Sequence, residues 1–530
     1  MTAIRLQSFR CLLDTRFVEL RPLTILVGRN SSGKSSFLRF LPLLRQSVES
    51  RTTGPIQWYG DYVDFGGFKE THSTFSEDDE MRLGFQTTLE QDPGWQVLRN
   101  PFHGPLGRSS ALGSIPCSVT LAIVPDPKDT TVTRFRSVEI KAAEHTVKIE
   151  FDHPDKLSAI SVNGSEPLEQ VMGDLRFGRG SLLPRFDRFR PDGTPGPGPV
   201  PGLPPGLVTE YLAIGELMDV LRLLCSGDTS EETVAKAAAQ IPFGTAEEIL
   251  DFLRGNGSPS DWRCESVERL DLADSVFLKI RDLAVANRLG AVLESLDRHL
   301  GAFSKGVRYS APVRATAERY YRQRDLAVDE IDPEGRNLAI FLRSLSEAKR
   351  RDFGTWTAEE MGWKVATSLG GGHISLRIEE KGGGSYNLAD VGFGFSQMLP
   401  VLAQLWSMQP SPSLRRFLPG LSTSDLTFAI EQPELHLHPS LQAQLADTMS
   451  RAVSSARREG VGLTLVVETH SEAIVNRIGR LIADGELDSD LASVVLFESS
   501  RNRKGSSVRT SLFDSKGYLE DWPYGFFEPG

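Results

Sequence analysis

Long hydrophobic runs are missing from this chain of 530 residues. A helix that crosses a bilayer needs about 20 consecutive apolar residues, and no run here approaches that length. The first residues, Met1 to Arg5, lack the apolar stretch of a secretory signal peptide and lead straight into a strand pattern. The sequence therefore predicts a cytoplasmic protein that does not enter a membrane.

Cysteine is also scarce in this sequence. The chain has 4 cysteines, which lie far apart and form no C-x-x-C pair: Cys11, Cys117, Cys225 and Cys264. Isolated cysteines of this kind are typical of buried thiols in a reducing compartment. We therefore expect neither a disulfide framework nor a cysteine-ligated zinc site.

An excess of basic residues is missing as well. The chain has 59 lysines and arginines against 70 aspartates and glutamates, which gives a net charge of −11. This charge disfavours a protein that coats nucleic acid non-specifically, but it leaves room for a local basic groove. No heptad repeat long enough for a coiled coil is present, and no internal repeat is visible. The length allows two or more hydrophobic cores.

One segment near the start carries a specific chemistry. Residues 28–35 read Gly-Arg-Asn-Ser-Ser-Gly-Lys-Ser, follow the apolar residues 23–27 and precede a helical pattern. In this context the glycines let the backbone wrap around phosphates, and the amides at the helix start point at them. Lys34 would reach the β- and γ-phosphates, and the Ser35 hydroxyl would bind Mg²⁺. The residues predicted to hold the nucleotide are Gly28, Asn30, Ser31, Ser32, Gly33, Lys34, Ser35 and Ser36.

Secondary-structure patterns divide the chain into three parts. Residues 1–90 have strand patterns around one helix and would form the first half of a nucleotide-binding head. Residues 91–304 would be an insertion that contains an antiparallel meander, a Pro/Gly tract and helices. Residues 305–530 return to alternating strands and helices and would complete the head. We therefore predict an α/β fold, a P-loop ATPase head whose halves are separated by a β-meander and a helical insertion.

Two apolar strand patterns in the last part of the chain end in carboxylates. Residues 426–430 lead into Glu431, which has the Walker B form and would hold Mg²⁺ together with Ser35. Residues 463–467 lead into Glu468-Thr469-His470-Ser471. A histidine beside the phosphates can contact the γ-phosphate and sense its presence, so His470 is a candidate site residue.

A glycine-rich stretch at residues 392–397 precedes another apolar helix pattern. Glycines followed by a serine at a helix start can bind an anion through free amides. The P-loop already holds the phosphate of its own head, so a second molecule is the natural user of this element. Gly394, Ser396 and Gln397 are its candidate nucleotide contacts, and a glycine-rich turn before a core helix remains the alternative.

Together these motifs carry a resemblance to a known family. Phe9-Arg10, the P-loop, the Gly-x-Gly-x-Ser-Gln element, residues 430–439 and residues 468–471 occur in the order found in the ABC/SMC-like ATPases of the RecF and OLD type. The tail at residues 521–527 resembles the C-terminal signature of a bacterial branch of AAA family ATPases. The resemblance covers roughly residues 1–90 and 305–530.

The resemblance implies a dimer of ABC-type heads with ATP and Mg²⁺ as cofactors. Two heads would meet head to tail with two ATP molecules between them, so that Lys34 and Ser35 of one head face Ser396 of the other. Glu431 would hold Mg²⁺, His470 would be the switch histidine, and Leu437-His438 would lie at the position of the family's D-loop.

One position departs from the family pattern. The residue after the Walker B carboxylate is usually a glutamate that polarises the attacking water, and here it is Gln432. Glutamine orients water but accepts protons poorly, and loss of general-base help costs on the order of 10²–10⁴ in rate. Either Glu434 substitutes or hydrolysis is slow. The predicted catalytic residues are Glu431, Gln432, Glu434 and His470.

The resemblance also suggests a biological role. The leading hypothesis is a dimeric switch or clamp that regulates a separate nuclease or toxin effector in bacterial anti-phage defence, as ATPase subunits of systems of the Septu kind do. The alternatives are a RecF-like DNA-repair ATPase that acts on DNA itself and an assembly scaffold that never binds DNA. OLD proteins carry a Toprim nuclease after the ATPase, but only about sixty residues follow His470, so we expect no nuclease in this chain.

Other candidate sites have competing interpretations. A metal site at Glu434, His436 and His438 competes with the D-loop interpretation. A basic-aromatic stretch could bind DNA or RNA or could be a solvated loop with buried phenylalanines: Arg176, Phe177, Arg179, Arg185, Phe186, Arg188, Phe189 and Arg190. Arg10 could approach the nucleotide or lie in solvent. Arg314 recurs in similar chains without a role that the residues define.

Overall fold

The computed structural model describes residues 1–50, 52, 54–89, 115–153, 156–165, 174–177, 181–187, 212–225, 228–255, 258–259, 262, 264–323, 328–380, 382–409, 426–499 and 505–523. Several predicted features lie outside these ranges: the Pro/Gly tract, Arg179, Arg188, Arg190 and residues 524–527 of the tail signature.

The described strands are numbered in chain order. They are β1 (Ala3–Phe9), β2 (Leu12–Asp14), β3 (Val18–Glu19), β4 (Leu23–Gly28), β5 (Met81–Leu89), β6 (Ile115–Pro125), β7 (Thr133–Ala142), β8 (His145–His153), β9 (Lys156–Val162), β10 (Asp174–Phe177), β11 (Pro184–Asp187), β12 (Val307–Ser310), β13 (Tyr321–Arg322), β14 (Trp363–Gly370), β15 (His373–Glu380), β16 (Ser385–Asn387), β17 (Leu426–Glu431), β18 (Leu463–Glu468), β19 (Ala492–Ser499) and β20 (Ser506–Leu512).

The described α-helices follow the same numbering. They are α1 (Lys34–Glu49), α2 (Phe68–Thr71), α3 (Ile214–Leu224), α4 (Glu231–Gln240), α5 (Ala246–Leu253), α6 (Ser275–Asn287), α7 (Leu289–Gly306), α8 (Leu338–Ser344), α9 (Glu347–Met361), α10 (Phe393–Ser407), α11 (Pro439–Arg458) and α12 (Glu472–Ala483).

A parallel sheet of five strands joins the first and last parts of the chain. Its order is β12-β17-β18-β4-β19, and all four neighbouring pairs are parallel. The P-loop strand β4 therefore lies between two strands that are made from the last seventy residues of the chain. Because parallel strands end at the same edge of a sheet, the loop after β4 meets the ends of β17 and β18.

Both faces of this parallel sheet are buried, as its continuous apolar strands predict. Alternate residues along a strand point to opposite faces. Leu26, Ala429 and Val466 belong to a core shared with α1 and the helical insertion, whereas Ile25 and Ile430 belong to a core shared with α10, α11 and α12. The two cores lie on opposite sides of the sheet and include residues from both halves of the head.

The predicted antiparallel meander is confirmed. Strands β5 to β9 pair in sequence, each antiparallel to the next. The meander does not form a separate sheet, because β5 also pairs with β1, and β1 reaches β19 through β2 and β20. Strand β3 pairs with β1 beside this path. One continuous sheet therefore runs from the P-loop strand into the insertion.

A second, smaller antiparallel sheet precedes the glycine-rich helix start. Strands β13, β14 and β16 all pair with β15. The β14–β15 hairpin turns at Gly371 and Gly372, whose φ angles are 58° and 77°. Positive φ at both central positions suits glycine, so the predicted strand pair around the glycine run is confirmed.

The helical insertion packs on the head through its last helix. Helix α7 contacts α1, and both contribute to the same hydrophobic core. The expectation of four free thiols was wrong for one pair, since Cys225 and Cys264 in this insertion form a disulfide. The two residues are 39 positions apart, and only the fold brings them together.

Across the described ranges, the structure contains no helix that is both long and apolar enough to cross a membrane.

Candidate functional site

The P-loop is a tight turn between β4 and α1. Gly28 and Gly33 have φ angles of 158° and 101°, and Ser31 between them has a φ of 61°. A Cβ at Gly33 would lie 2.6 Å from Leu12 Cδ2, and one at Gly28 would lie 2.4 Å from the Phe497 carbonyl oxygen. Both positions therefore require glycine, because neighbouring atoms leave no room for a Cβ and because the φ angles are positive.

The start of α1 offers free backbone amides. No side chain caps this helix, and its first turn holds no acidic residue. The first amides of a helix lack partners within the helix, and they form a natural site for a phosphate. Asn30 and Ser31 are exposed at the loop tip, whereas Ser32 is buried and its Oγ has no hydrogen-bond partner among the described residues.

The P-loop lysine lies against its own loop. Lys34 is 3% exposed, and its Nζ donates to the carbonyl oxygens of Gly28 and Arg29 at 3.0 Å each. Its Nζ also lies 3.9 Å from Glu468 Oε1. Burial lowers the pKa of Lys34, and the negative charges of Glu468 and Glu434 oppose that effect.

Two carboxylates lie side by side at the ends of neighbouring strands. Glu431 of β17 and Glu468 of β18 are Cα partners in the parallel register. They share the face of Ala429 and Val466, which is the face covered by α1. On α1 they meet residues one helical turn apart, since Ser35 donates to Glu468 and Arg39 donates to Glu431.

Glu468 is the carboxylate next to the P-loop. It is 2% exposed, its Oε1 accepts from Ser35 Oγ at 2.8 Å, and its Oε2 has no hydrogen-bond partner in the described structure. Burial raises the pKa of Glu468 to about 7, with a further contribution from the charge of Glu431. The motif at residues 468–471 includes Glu468, but the sequence pattern predicted no role for it.

Glu431 has a different set of partners. Arg39 Nε and Nη2 donate to its two oxygens at 2.6 and 2.8 Å, and the Tyr309 hydroxyl donates to Oε1 at 2.6 Å. Its backbone oxygen accepts from Arg314 Nη2 at 2.8 Å. Both carboxylate oxygens of this 2% exposed residue are thus engaged by the protein. The hydrogen bonds that Arg39 donates to Glu431 raise the pKa of Arg39.

The residues after Glu431 form a strained turn towards β18. Gln432 has a φ of 41°, and its amide donates to the Glu468 carbonyl oxygen at 2.8 Å. Glu434 Oε1 accepts from the His470 amide at 2.7 Å, and burial raises the pKa of Glu434. The predicted catalytic residues Gln432, Glu434 and His470 are therefore brought together.

His470 lies at a cleft of about 700 Å³ between the loops after β17 and β18. The exposed His470 shares this cleft with Gln432, Glu434 and His436. Partial burial and then the positive charge of Lys34 lower the pKa of His470. The ring is therefore biased towards its neutral form, which can donate one hydrogen bond and accept another.

The two nearby histidines have structural contacts of their own. The His436 ring lies 4.8 Å from the Phe393 ring, and His438 caps α11 by accepting from the Ser440 amide at 3.3 Å. Among the residues described, no cluster of three or more histidine, cysteine or acidic side chains is placed to hold a metal ion. The D-loop interpretation of this segment stays a prediction.

The glycine-rich element forms the start of α10. A Cβ at Gly394 would lie 2.6 Å from the His436 carbonyl oxygen, so this helix start packs against the loop after β17. Gln397 is buried and exchanges two hydrogen bonds of 2.9 Å with the backbone of Arg314. Ser396 is only 6% exposed, whereas Gly392 and Phe393 are exposed.

Arg314 connects α10 with the end of β17. It is 2% exposed, its Nε donates to Ser310 Oγ at 2.8 Å, and its Nη2 donates to the Glu431 carbonyl oxygen. Burial lowers the pKa of Arg314 to about 10. No sequence pattern predicts this role, because Glu431 and Arg314 lie 117 positions apart.

The basic-aromatic stretch is described only in part. Strands β10 and β11 pair antiparallel, with Arg176 opposite Arg185 in the register. Arg185 pairs with Asp297 at 2.6 Å, and Asp297 is 3% exposed. Arg10 stacks over the Phe65 ring, with its guanidinium carbon 4.6 Å from the ring centroid.

Residues 298–476, about a third of the chain, match the family model described as AAA domain, putative AbiEii toxin, Type IV TA system. This segment is similar to the AAA ATPase domain of that family. The matched segment contains α10, Glu431 and His470, and the strand order joins it to the P-loop. The predicted fold, an ABC-type P-loop ATPase head, is confirmed, and the chain is a nucleotide-binding ATPase.

Several solved structures resemble the whole chain at low identity. One is the Smc head domain with an extended coiled coil bound to the C-terminal domain of ScpA from Pyrococcus furiosus (12% identity, 96% of this chain and 95% of that chain, TM-score 0.35). Another is the SMC head domain from Thermotoga maritima (8% identity, covering 96% of this chain and 97% of that chain, TM-score 0.30). No curated protein matches the chain.

Proposed function

We propose that this AAA ATPase is an ATP-controlled dimeric switch that hydrolyses ATP slowly and regulates a separate nuclease or toxin effector in anti-phage defence. The observation that carries the proposal is the meeting of the P-loop with Gln432, Glu434 and His470 at one edge of the parallel sheet. These residues come from opposite ends of the chain, so nucleotide binding would involve both halves of the head.

The residues present fit ATP with Mg²⁺. The uncapped start of α1, the positive φ at Gly33 and the Ser35 hydroxyl suit phosphates and a hard cation. Ser35 would hold Mg²⁺, which at this site would supply positive charge to offset that of the phosphates. Lys34 would exchange the two loop carbonyl oxygens for phosphate oxygens, and the neutral His470 ring would report on the γ-phosphate.

Slow turnover follows from the side chains near the cleft. Gln432 can orient water but cannot take its proton. Glu434 is the nearby carboxylate, and its raised pKa makes it a better base than an ordinary glutamate, although one oxygen is held by the His470 amide. A basal turnover above about ten per second, the median for enzymes, would contradict slow hydrolysis.

A second head would contact this head at the start of α10. Gly392 and Phe393 are exposed there, and Gln397 on the same helix is tied through Arg314 to Glu431. A contact at the exposed end could therefore reach the site within the same head. Ser396 is largely buried, so its proposed contact with the partner's ATP needs a movement of this helix start.

The effector part of the proposal is supported by the family match and by the charges of the chain. The matching family model carries the words putative AbiEii toxin and Type IV TA system, which point to a toxin context. The net charge of −11 and the pairing of Arg185 with Asp297 favour a protein partner over DNA. A RecF-like role on DNA remains the competing function.

The dimer is tested with arginine substitutions at the start of α10. Gly392→Arg introduces a large charged side chain where a Cβ meets no atom within 4 Å, so the fold should be retained. We expect ATP binding to persist and ATP-dependent dimerisation to be lost, as measured by light scattering. Gly215→Arg, an exposed and equally open glycine of α3, is the matched control and should dimerise normally.

Two further variants complete this test. Ser396→Arg should also lose dimerisation, and Lys34→Ala should lose ATP binding and turnover together. If Gly392→Arg and Ser396→Arg fold and leave both self-association and turnover unchanged, the trans-site proposal is wrong. DNA-stimulated turnover of the wild type that disappears in high salt would favour the DNA-repair alternative instead.

A further inference from the structure

The carboxylate that lies nearest to the P-loop comes from β18 and not from the Walker B strand. Strand β18 separates β17 from β4, so Glu431 lies two strands from the P-loop strand while Glu468 lies on its direct neighbour. Neighbouring strands are about 4.8 Å apart. Glu468 accordingly contacts Ser35 at 2.8 Å and lies 3.9 Å from Lys34 Nζ.

Glu431 is poorly available to a cation in this arrangement. Arg39 donates to both of its oxygens, and Tyr309 donates to one of them. Three hydrogen bonds, two of them from the charged guanidinium of Arg39, would have to be exchanged before Glu431 could bind a metal ion. The guanidinium of Arg39 already supplies the positive charge that this buried carboxylate needs.

Glu468 has the opposite character. It is 2% exposed, and its Oε2 has no hydrogen-bond partner among the described residues. A buried carboxylate oxygen without a partner is costly, so such an atom calls for a cation or a donor. Mg²⁺ at nucleotide sites is held by a P-loop hydroxyl, one or two carboxylates, waters and phosphate oxygens.

We propose that Glu468, with Ser35, supplies the protein oxygens for the divalent cation that accompanies ATP, and that Glu431 is a structural ion-pair partner of Arg39. This inference rests on the proposed binding of ATP at the P-loop. It moves the metal-binding carboxylate from β17 to β18, the strand that precedes His470. The cation remains a hard, oxygen-liganded ion of the Mg²⁺ or Mn²⁺ kind.

The test uses cation binding as its readout, on the full-length protein. ATP labelled with an N-methylanthraniloyl group reports nucleotide affinity with Mg²⁺ and with EDTA, and electron paramagnetic resonance reports the affinity for Mn²⁺ in the presence of ATP. Glu468→Gln keeps the size of the side chain and an oxygen for Ser35 but removes the charge. Glu431→Gln is the matched control on the neighbouring strand.

We expect Glu468→Gln to bind labelled ATP in EDTA as the wild type does, but to bind Mn²⁺ at least about tenfold more weakly. Glu431→Gln should change Mn²⁺ affinity less than about threefold and should instead lower the melting temperature. The reverse pattern, with Mn²⁺ affinity lost in Glu431→Gln and kept in Glu468→Gln, would overturn the assignment.

Two further outcomes keep the test decisive. If Glu468→Gln does not fold, Glu468→Asp replaces it, and a tenfold weaker Mn²⁺ affinity supports the proposal whereas an unchanged affinity overturns it. If the wild type binds no labelled ATP under any condition, the proposed function itself has failed. A wild type that binds ATP with the same Mn²⁺ affinity as Glu468→Gln refutes only the role of Glu468.

Discussion

Ser35 and Arg39 are one helical turn apart on α1, and they meet Glu468 and Glu431 on neighbouring strands. This pairing joins the first part of the chain to the last through side chains. The Arg39–Glu431 pair spans 392 sequence positions. It therefore contributes to the stability of the assembled head as well as to the site.

Arg39→Ala should destabilise the protein, because it leaves Glu431 buried with Tyr309 as its remaining side-chain partner. Breaking a buried pair costs about 3–5 kcal/mol. Since Arg39 is 35% exposed, we expect roughly 2–3 kcal/mol after allowance for solvent screening. Urea denaturation at constant pH measures the change in the free energy of unfolding.

Arg457→Ala is the matched control for Arg39→Ala. Arg457 pairs with Asp490 at 2.7 Å, but both side chains are more than half exposed. Exposed pairs contribute about 0–1 kcal/mol. If the two alanine variants lose the same stability, the Arg39–Glu431 pair is not the buried linkage described above.

The cysteines give a prediction that a thiol titration can check. Burial raises the pKa of Cys117 to about 12, so this thiol should not react with Ellman's reagent at pH 8 in the native protein, whereas Cys11 is partly exposed. Without reductant, denatured protein should show two reactive thiols, because Cys225 and Cys264 form a disulfide. Four thiols under those conditions would contradict the disulfide.

At the residue scale, sequence patterns located the P-loop, Glu431 and His470, because each follows an apolar strand pattern with a recognisable ending. The patterns could not show which of Glu431 and Glu468 lies beside the P-loop, since both carboxylates follow similar apolar strands. Only the strand order places Glu468 beside Ser35. The roles predicted for the site residues stay predictions until the variants above are measured.

Helix α10 and the loop after β17 form the contact on which the switch would depend. Gly394 lets the helix start approach the His436 carbonyl oxygen, where a Cβ would be 2.6 Å away. The same Cβ would be 3.0 Å from Leu437 Cδ2. A change in the position of α10 would thus directly displace the segment predicted to be the D-loop.

Gly394→Ala should lower stability although alanine favours a helix by about 1 kcal/mol over glycine. The clash is with backbone, which cannot rotate away, and overpacking of this kind costs roughly 1–3 kcal/mol. Thermal or urea unfolding measures the net loss. Gly392→Ala, with open space around its Cβ, should stay within about 0.5 kcal/mol of the wild type; an equal loss in both variants would contradict the close approach.

At the element scale, periodicity predicted the meander, the β14–β15 hairpin and the apolar strands of the head, because local residue alternation decides them. It could not predict that the meander continues the sheet of the head, because the pairing of β1 with β5 and of β2 with β20 is non-local. The disulfide between Cys225 and Cys264 was missed for the same reason.

At the scale of the whole molecule, the large sheet and the two described cores join both halves of the head. Strand β4 has β18 on one side and β19 on the other. An N-terminal piece of the chain therefore lacks both neighbours of its P-loop strand. The division into residues 1–90, 91–304 and 305–530 describes the sequence and does not imply independent folding.

A split within the Pro/Gly tract tests this interdependence. Fragments 1–205 and 206–530, when coexpressed, should co-purify as a one-to-one complex, because β4 of the first fragment pairs with β18 and β19 of the second. Fragment 1–205 expressed alone should be insoluble or lack cooperative unfolding. A soluble fragment 1–205 that unfolds cooperatively and binds labelled ATP by itself would refute the requirement for β18 and β19.

The position of β4 between two late strands also has a consequence for biosynthesis. Over four hundred residues separate the end of β4 from the start of β18. At about 5–20 residues per second, a ribosome needs on the order of 20–90 s to make them. During that interval the nascent apolar strand has neither lateral neighbour, and it is a natural client for chaperones. ATP binding would thus be possible only for a chain whose translation has nearly finished.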